Sequence, residues 1–237
     1  MLITLPNAYG DAANNMAIDA ALLTTLPKGI AVLRHYGWTE PAITFGYTQR
    51  FAEVQAGYSE DLTLCRRLTG GGIVDHRNDW TYALILQTEL PAAHIPANDF
   101  YASLHQAIQN ALAEHSVQSQ LAPCPRKCGE TAARAEPASQ CFVTPAANDV
   151  LLPNGQKIAG AAMKRSRDGL LVQGSIDRAT LPADFSFEIF QTALSNQLSA
   201  AFNIPHGHSE DLRRLFDSEL IQTERTRFAS DAWTQKR

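Results

Sequence analysis

The decisive stretch reads Cys65-Arg66-Arg67-Leu68-Thr69-Gly70-Gly71-Gly72-Ile73-Val74-Asp75-His76, followed after Arg77-Asn78-Asp79 by the apolar run Trp80 to Leu86. Glycine inside regular structure gives up packing and costs roughly 0.5 to 1 kcal/mol relative to alanine. Three together therefore point to unusual φ/ψ or to something lying hard against the backbone. The flanks favour the second. Arg66 and Arg67 can neutralise phosphate or carboxylate, and free N–H groups at Gly70, Gly71 and Gly72 can cradle an anion or a carbonyl oxygen. A loop joining two strands, with its arginines in solvent, is the alternative reading of the glycines taken alone. The arginines and His76 weigh towards a site.

Around this stretch, 237 residues with 45% apolar content provide enough chain for one large domain with a substantial core, read here as spanning residues 1–237. A net charge of -4 with no basic run argues against nucleic acid as a partner. The N-terminal M-L-I-T-L-P-N-A-Y-G-D lacks a basic segment leading into an apolar core, and no apolar run approaches the roughly 20 residues of a membrane span. A cytoplasmic protein with no membrane partner is expected. The four cysteines, Cys65, Cys124, Cys128 and Cys141, make a poor disulfide scaffold and are expected as thiols. The Cys124-x-x-x-Cys128 pair has no second pair beside it, so no metal site is expected.

Hydropathy patterning gives the elements. Asp11 can cap a helix over about Ala12 to Leu23, ended by Pro27. Ala31 to Tyr36, Ala42 to Tyr47 and Trp80 to Leu86 read as strands. Phe100, Leu104, Ile108 and Leu112 recur every four residues and predict a helix over residues 98–115. From Ser116 to Gln140 no period survives, which reads as a loop. Asn154-Gly155 and Asp168-Gly169 are hairpin dipeptides, so Val150 to Leu152, Lys157 to Met163 and Leu170 to Ile176 form a three-stranded meander. Two helices follow, one marked by Phe187, Phe190, Leu194, Leu198 and Phe202, the other by Leu212, Leu215, Phe216 and Leu220 with Ser209 as its cap.

R-R-L-T-G-G-G-I-V-D-H resembles the signature of the lipoate-protein ligase and octanoyltransferase family. The helix sequence N-N-M-A-I-D, the segment T-F-G-Y-T-Q, the hairpin N-G-Q-K-I-A-G-A-A and the tail W-T are similar to that family as well. The resemblance implies an α+β domain, a mixed, mainly antiparallel sheet flanked by helices, as in the biotin and lipoate protein ligase catalytic domains. It implies that Lys157 contacts the acyl carbonyl, as an oxyanion donor does. A lysine after a hairpin turn is otherwise an ordinary solvated edge residue. Gly160 and Ala161, which follow it, remove side chains where a ligand must approach. In the octanoyltransferase branch a cysteine beside a phenylalanine is the nucleophile, which places that role on Cys141. A thiolate there would split thioester-to-amine transfer into two steps. Phe45, Tyr47 and Gln49 are candidates for an acyl-pocket wall, and Arg67, Gly70, Gly71, Gly72 and His76 for shaping the acyl and amine site.

The implied activity is transfer of an octanoyl or lipoyl group from an acyl carrier protein thioester to a lysine of a lipoyl-domain protein or glycine-cleavage H protein, with no cofactor required. An ATP-dependent lipoate-protein ligase, using ATP and Mg to form lipoyl-adenylate, is the rival, though the chain after Ile176 leaves little room for the further region such ligases use. A non-catalytic acyl-protein binding module is the third reading. The chain departs from the cysteine-type pattern at Arg77-Asn78-Asp79, at Gln173-Gly174-Ser175 and at T-P-A-A-N-D.

Overall fold

The run Trp80 to Leu86 forms the middle of a sheet that is buried on both faces. The computed structural model describes residues 1–59, 61–123, 145–208 and 212–237. In chain order its elements are β1 (Leu2–Thr4), β2 (Ala8–Gly10), α1 (Ala12–Thr25), β3 (Ala31–Trp38), β4 (Ala42–Phe45), α2 (Phe51–Gln55), β5 (Thr63–Arg66), β6 (Ile73–Asp75) and β7 (Asp79–Gln87). They continue with α3 (Ala97–Ala113), β8 (Gln120–Leu121), β9 (Val150–Leu151), β10 (Lys157–Arg165), β11 (Gly169–Asp177), α4 (Phe187–Phe202), α5 (Ser218–Phe228) and α6 (Asp231–Thr234).

The main sheet runs β1-β3-β7-β11-β10-β9-β8, with β2 also on β3, and a second sheet has the order β5-β4-β6. Pairing is antiparallel except where β3 meets β1 and β2 and where β4 meets β5. The expected mixed, mainly antiparallel α+β architecture is therefore present. Alternation along β7 explains the unbroken apolar run. Trp80, Tyr82, Leu84 and Leu86 enter a core that includes α3 and α4 residues such as Phe100, Leu104, Phe190 and Leu194. Ala83 and Ile85 point the other way, into a core with Met16 and Ala20 of α1 and Phe228 of α5. Both faces are covered, so no polar alternation is needed.

Local signals place most boundaries well. Asp11 caps α1 by accepting from Asn14 N at 2.7 Å, and α3 and α4 match their expected spans. The last long helix starts later than expected. Leu212–Leu215 form a 3-10 turn, and α5 begins at Ser218, capped by Asp217, whose side chain accepts from Leu220 N. A second capping residue inside the apolar pattern splits one expected helix in two, and Ser209 lies outside the described residues. Among the described residues no helix is long and apolar enough to cross a membrane.

Candidate active site

The small sheet lies over the α1 side of the large one, and a narrow cleft is left between them. Met16 and Tyr36 line it on one side, Thr44, Arg67, Gly71, Val74 and His76 on the other. Gly160 to Ala162, Gln173 to Ser175 and Thr81 complete its wall. The residues read from sequence as shaping a site, Arg67, Gly71, His76, Gly160 and Ala161, meet here.

Under the cleft runs a buried polar chain. Arg34 Nη1 donates to Asp19 Oδ1 at 2.5 Å, and Gln173 Nε2 donates to Asp19 Oδ2 at 2.8 Å. Thr69 Oγ1 donates to Gln173 Oε1 at 2.8 Å and accepts from Arg67 Nε at 3.1 Å. Arg67 Nη1 reaches Thr44 Oγ1 at 3.3 Å, and Thr44 Oγ1 lies 2.7 Å from His76 Nε2. The far ring nitrogen, Nδ1, lies 2.7 Å from Asp79 Oδ2. A carboxylate accepts, so Nδ1 carries a proton and the imidazole is held at both ends, with Trp38 stacked on it at 3.9 Å. Two departures from the family pattern thus have structural roles: Asp79 partners His76, and Gln173 joins Asp19 to Thr69.

The triple glycine folds back against the end of β4. Gly46 N donates to Gly72 O at 3.2 Å and Tyr47 N to Thr69 O at 2.9 Å. A Cβ on Gly46 would sit 2.1 Å from Gly71 O, so the loop rests on bare backbone. Arg67 Nη2 donates to the carbonyls of Gly70 at 2.6 Å and Gly72 at 2.8 Å, and Gln49 Nε2 to that of Gly71 at 3.2 Å. Gly71 has φ +86°, the left-handed region that glycine occupies without strain. Arg66, read as an anion ligand, is instead wholly buried, and its guanidinium donates to the carbonyls of Tyr47, Gln49 and Thr234. Phe45, Tyr47 and Gln49 do not line the cleft. Phe45 belongs to the small-sheet core with Ile43, Val54 and Ile73, and Tyr47 lies beneath Lys236 at 3.6 Å. The strand alternation that suggested a wall turns Phe45 away from the cleft.

Lys157 opens β10 and is 5% exposed, with Nζ 2.7 Å from Asp149 Oδ2. The register of β10 on β9 shifts between Lys157 and Ala159. That bulge brings Lys157 onto the face of Gly160, where a Cβ would lie 2.7 Å from both Cε and Nζ. Gly160 therefore makes room for the ion pair behind the cleft wall. Asp149 is further fixed by Ala146 N at 2.6 Å. The sequence reading missed Asp149, Thr69, Thr44, Asp19 and Gly46, and only Gly46 carried a signal, as a glycine ending an apolar strand. Cys65 is buried and its thiol is pushed up to about 12 by that burial, which leaves it chemically quiet. Cys141, Cys124 and Cys128 lie outside the described residues. No cluster of metal-ligating side chains occurs among the described residues.

Comparison with known proteins is consistent with this geometry. Residues 11–204 match the model described as the lipoyl protein ligase A/B catalytic domain. The octanoyltransferase LipM of Oceanobacillus iheyensis is 31% identical over 192 residues, covering 79% of this chain and 67% of that one. The octanoyltransferase LipM of Kyrpidia tusciae is 29% identical over 177 residues, covering 73% and 64%. The chain thus spans about two thirds of the length of these curated relatives. Among solved structures, a putative lipoate protein ligase from T. acidophilum superposes with a TM-score of 0.76 at 17% identity, over 99% of this chain and 98% of that one.

Proposed function

We propose, from the premise that the chain belongs to the lipoyl protein ligase A/B catalytic domain family, that it acts over residues 1–237 as a single catalytic domain that transfers an octanoyl or lipoyl group from a carrier-protein thioester to a lysine of a lipoyl-domain protein or H protein. The observation that carries this reading is the apolar cleft with the Lys157–Asp149 ion pair directly behind Gly160. In this reading the acyl chain lies between Met16, Tyr36, Val74 and Ala162, with its carbonyl towards the Gly160-Ala161 end. There the Lys157 ammonium, oriented by Asp149, meets the negative charge that develops on the carbonyl oxygen as a nucleophile adds. The buried chain from Asp19 to Asp79 holds the cleft wall in one arrangement, so no reorganisation is needed at that moment.

Cys141 is the proposed acceptor in the first step. Its thiolate attacks the donor thioester carbonyl, the carrier thiolate leaves, and the acyl group rests on the enzyme until the lysine amine displaces it. The curated relatives named as octanoyltransferases favour this over ATP-driven ligation, as the T. acidophilum likeness bears on the fold. No cofactor is needed, because the thioester is already activated. Intact-mass spectrometry after mixing with octanoyl carrier protein tests the step. One octanoyl group should appear on the wild type and none on Cys141→Ala, and normal transfer to a lipoyl domain by that variant would remove the covalent step.

A further inference from the structure

Outside the cleft, where β10 runs on towards solvent, the chain gathers positive charge. Ala162 of β10 lines the cleft, and Lys164 lies on the same face of that strand, about 7 Å further along. Its Nζ is 5.5 Å from the centre of the Tyr47 ring. Tyr47, in the turn after β4, is tied to the triple-glycine loop, because its N–H donates to Thr69 O at 2.9 Å. Lys236 Nζ sits 3.6 Å from the same ring and 3.6 Å from the ring of Trp233, held by both faces. The Arg237 guanidinium is 5.4 Å from Tyr47. Strand β10 and the tail after α6 thus place three cations around one phenol.

These charges are uncompensated. Among the described residues, none of the three forms an ion pair with an aspartate or glutamate. Other surface cations do: Lys28 pairs with Glu89, Arg77 with Asp75 and Arg225 with Asp11. The chain as a whole carries -4, so the cluster runs against its own charge balance. The Tyr47 phenol reports the local field. A hydrogen bond from Lys236 holds it below its ordinary range, and the charges of Lys236, Arg237 and Lys164 act in the same sense, against burial. Cations crowded on an open rim attract an anionic partner and repel a cationic one.

We propose that the rim of Lys164, Lys236 and Arg237 is the docking surface for the acyl donor, a carrier protein that meets it with anionic groups. The inference rests on the acyl-transfer reading above and concerns its donor side. Of the two protein substrates, the acceptor presents a lysine, which this rim repels. The donor presents its thioester on a phosphopantetheine arm, which carries a phosphodiester at its protein end. From the Gly160-Ala161 end of the cleft to Lys164 is three or four strand residues, about 10–13 Å, which such an arm spans when extended. The three cations touch no reacting atom. Their effect falls on encounter and binding, and salt weakens it, because exposed charges are screened beyond about 10 Å at 0.1 M.

Three donors separate docking from a structural role: octanoyl carrier protein, octanoyl-phosphopantetheine with the phosphate alone, and octanoyl-pantetheine with neither phosphate nor protein. Acylation of a lipoyl domain is followed for the wild type, for the double variant Lys164→Gln, Lys236→Gln, and for Lys164→Glu, which leaves Lys236 between its two rings. With octanoyl carrier protein, KM should rise at least about tenfold in both variants. The kcat should stay within about twofold, as expected when only binding is lost. Added salt should raise the wild-type KM towards that of the variants. Octanoyl-pantetheine should serve all three proteins equally. Octanoyl-phosphopantetheine assigns the source within the proposal: a raised KM in the variants points to the phosphodiester, and an unchanged one to carboxylates of the carrier surface. An unchanged KM for octanoyl carrier protein overturns the proposal, as does an equal loss with octanoyl-pantetheine or a KM that rises for the lipoyl domain instead. A wild type that uses none of the three donors refutes the acyl-transfer reading itself.

Discussion

Lys157 stands at the start of a strand with 5% of its surface exposed, and Asp149, 2.7 Å away, is its charged partner. A hairpin lysine in solvent would tolerate methionine within about 0.5 kcal/mol. This one should not, because Lys157→Met leaves a buried carboxylate without its cation, which costs about 3–5 kcal/mol. The loss of rate in that variant is then confounded by loss of fold. Adding Asp149→Asn removes the stranded charge, so the double variant should regain most of the melting temperature and still acylate at least about 10²-fold more slowly. Lys157→Arg should fail for another reason, since a longer, planar fork would have to enter the space beside Asp149 that is open only because Gly160 lacks a Cβ. Thermal melts and acylation rates measured together decide the matter. A double variant with near-normal turnover would take Lys157 out of the reaction.

At the scale of elements, the triple-glycine loop and the end of β4 form one unit. Gly46→Ala drives a Cβ to within 2.1 Å of Gly71 O, and neither backbone has room to yield, so an overpacking cost of about 1–3 kcal/mol is expected. Gly70 has nothing within 4 Å of its missing Cβ, and Gly70→Ala should stay within about 0.5 kcal/mol of the wild type. Chemical denaturation of the two variants compares them, and equal stability would show that the loop does not rest on β4. Helices and strands with a clear period were legible in the sequence, since α1, α3, α4 and the β10–β11 hairpin depend on residues close to one another. The role of Arg66 was not. Its partner Thr234 is 168 residues away, and only the folded chain brings the tail onto β5, where Trp233 Nε1 also donates to Arg66 O at 2.7 Å.

For the whole molecule, the same contrast explains which parts of the site could be read. Glycines, a lysine and a histidine set in an apolar pattern announce themselves locally, and Arg67, Gly71, His76, Gly160 and Ala161 do meet at one cleft. The partners that hold them come from other layers: Asp19 from α1 under Gln173 of β11, and Asp149 from ahead of β9 beside Lys157. Such pairs leave no mark in a single sequence, because any buried charge finds its counterpart through topology. The two sheets and α1 together enclose the cleft. The core of the account is the proposal of an acyl chain held in that cleft, with the thioester as the only source of activation. The direct measurement is the mass of a lipoyl domain incubated with this protein and octanoyl carrier protein in the absence of ATP and of free lipoate or octanoate. The account predicts a domain heavier by one octanoyl group; an unmodified domain that gains its acyl group only when ATP and the free acid are supplied would contradict it.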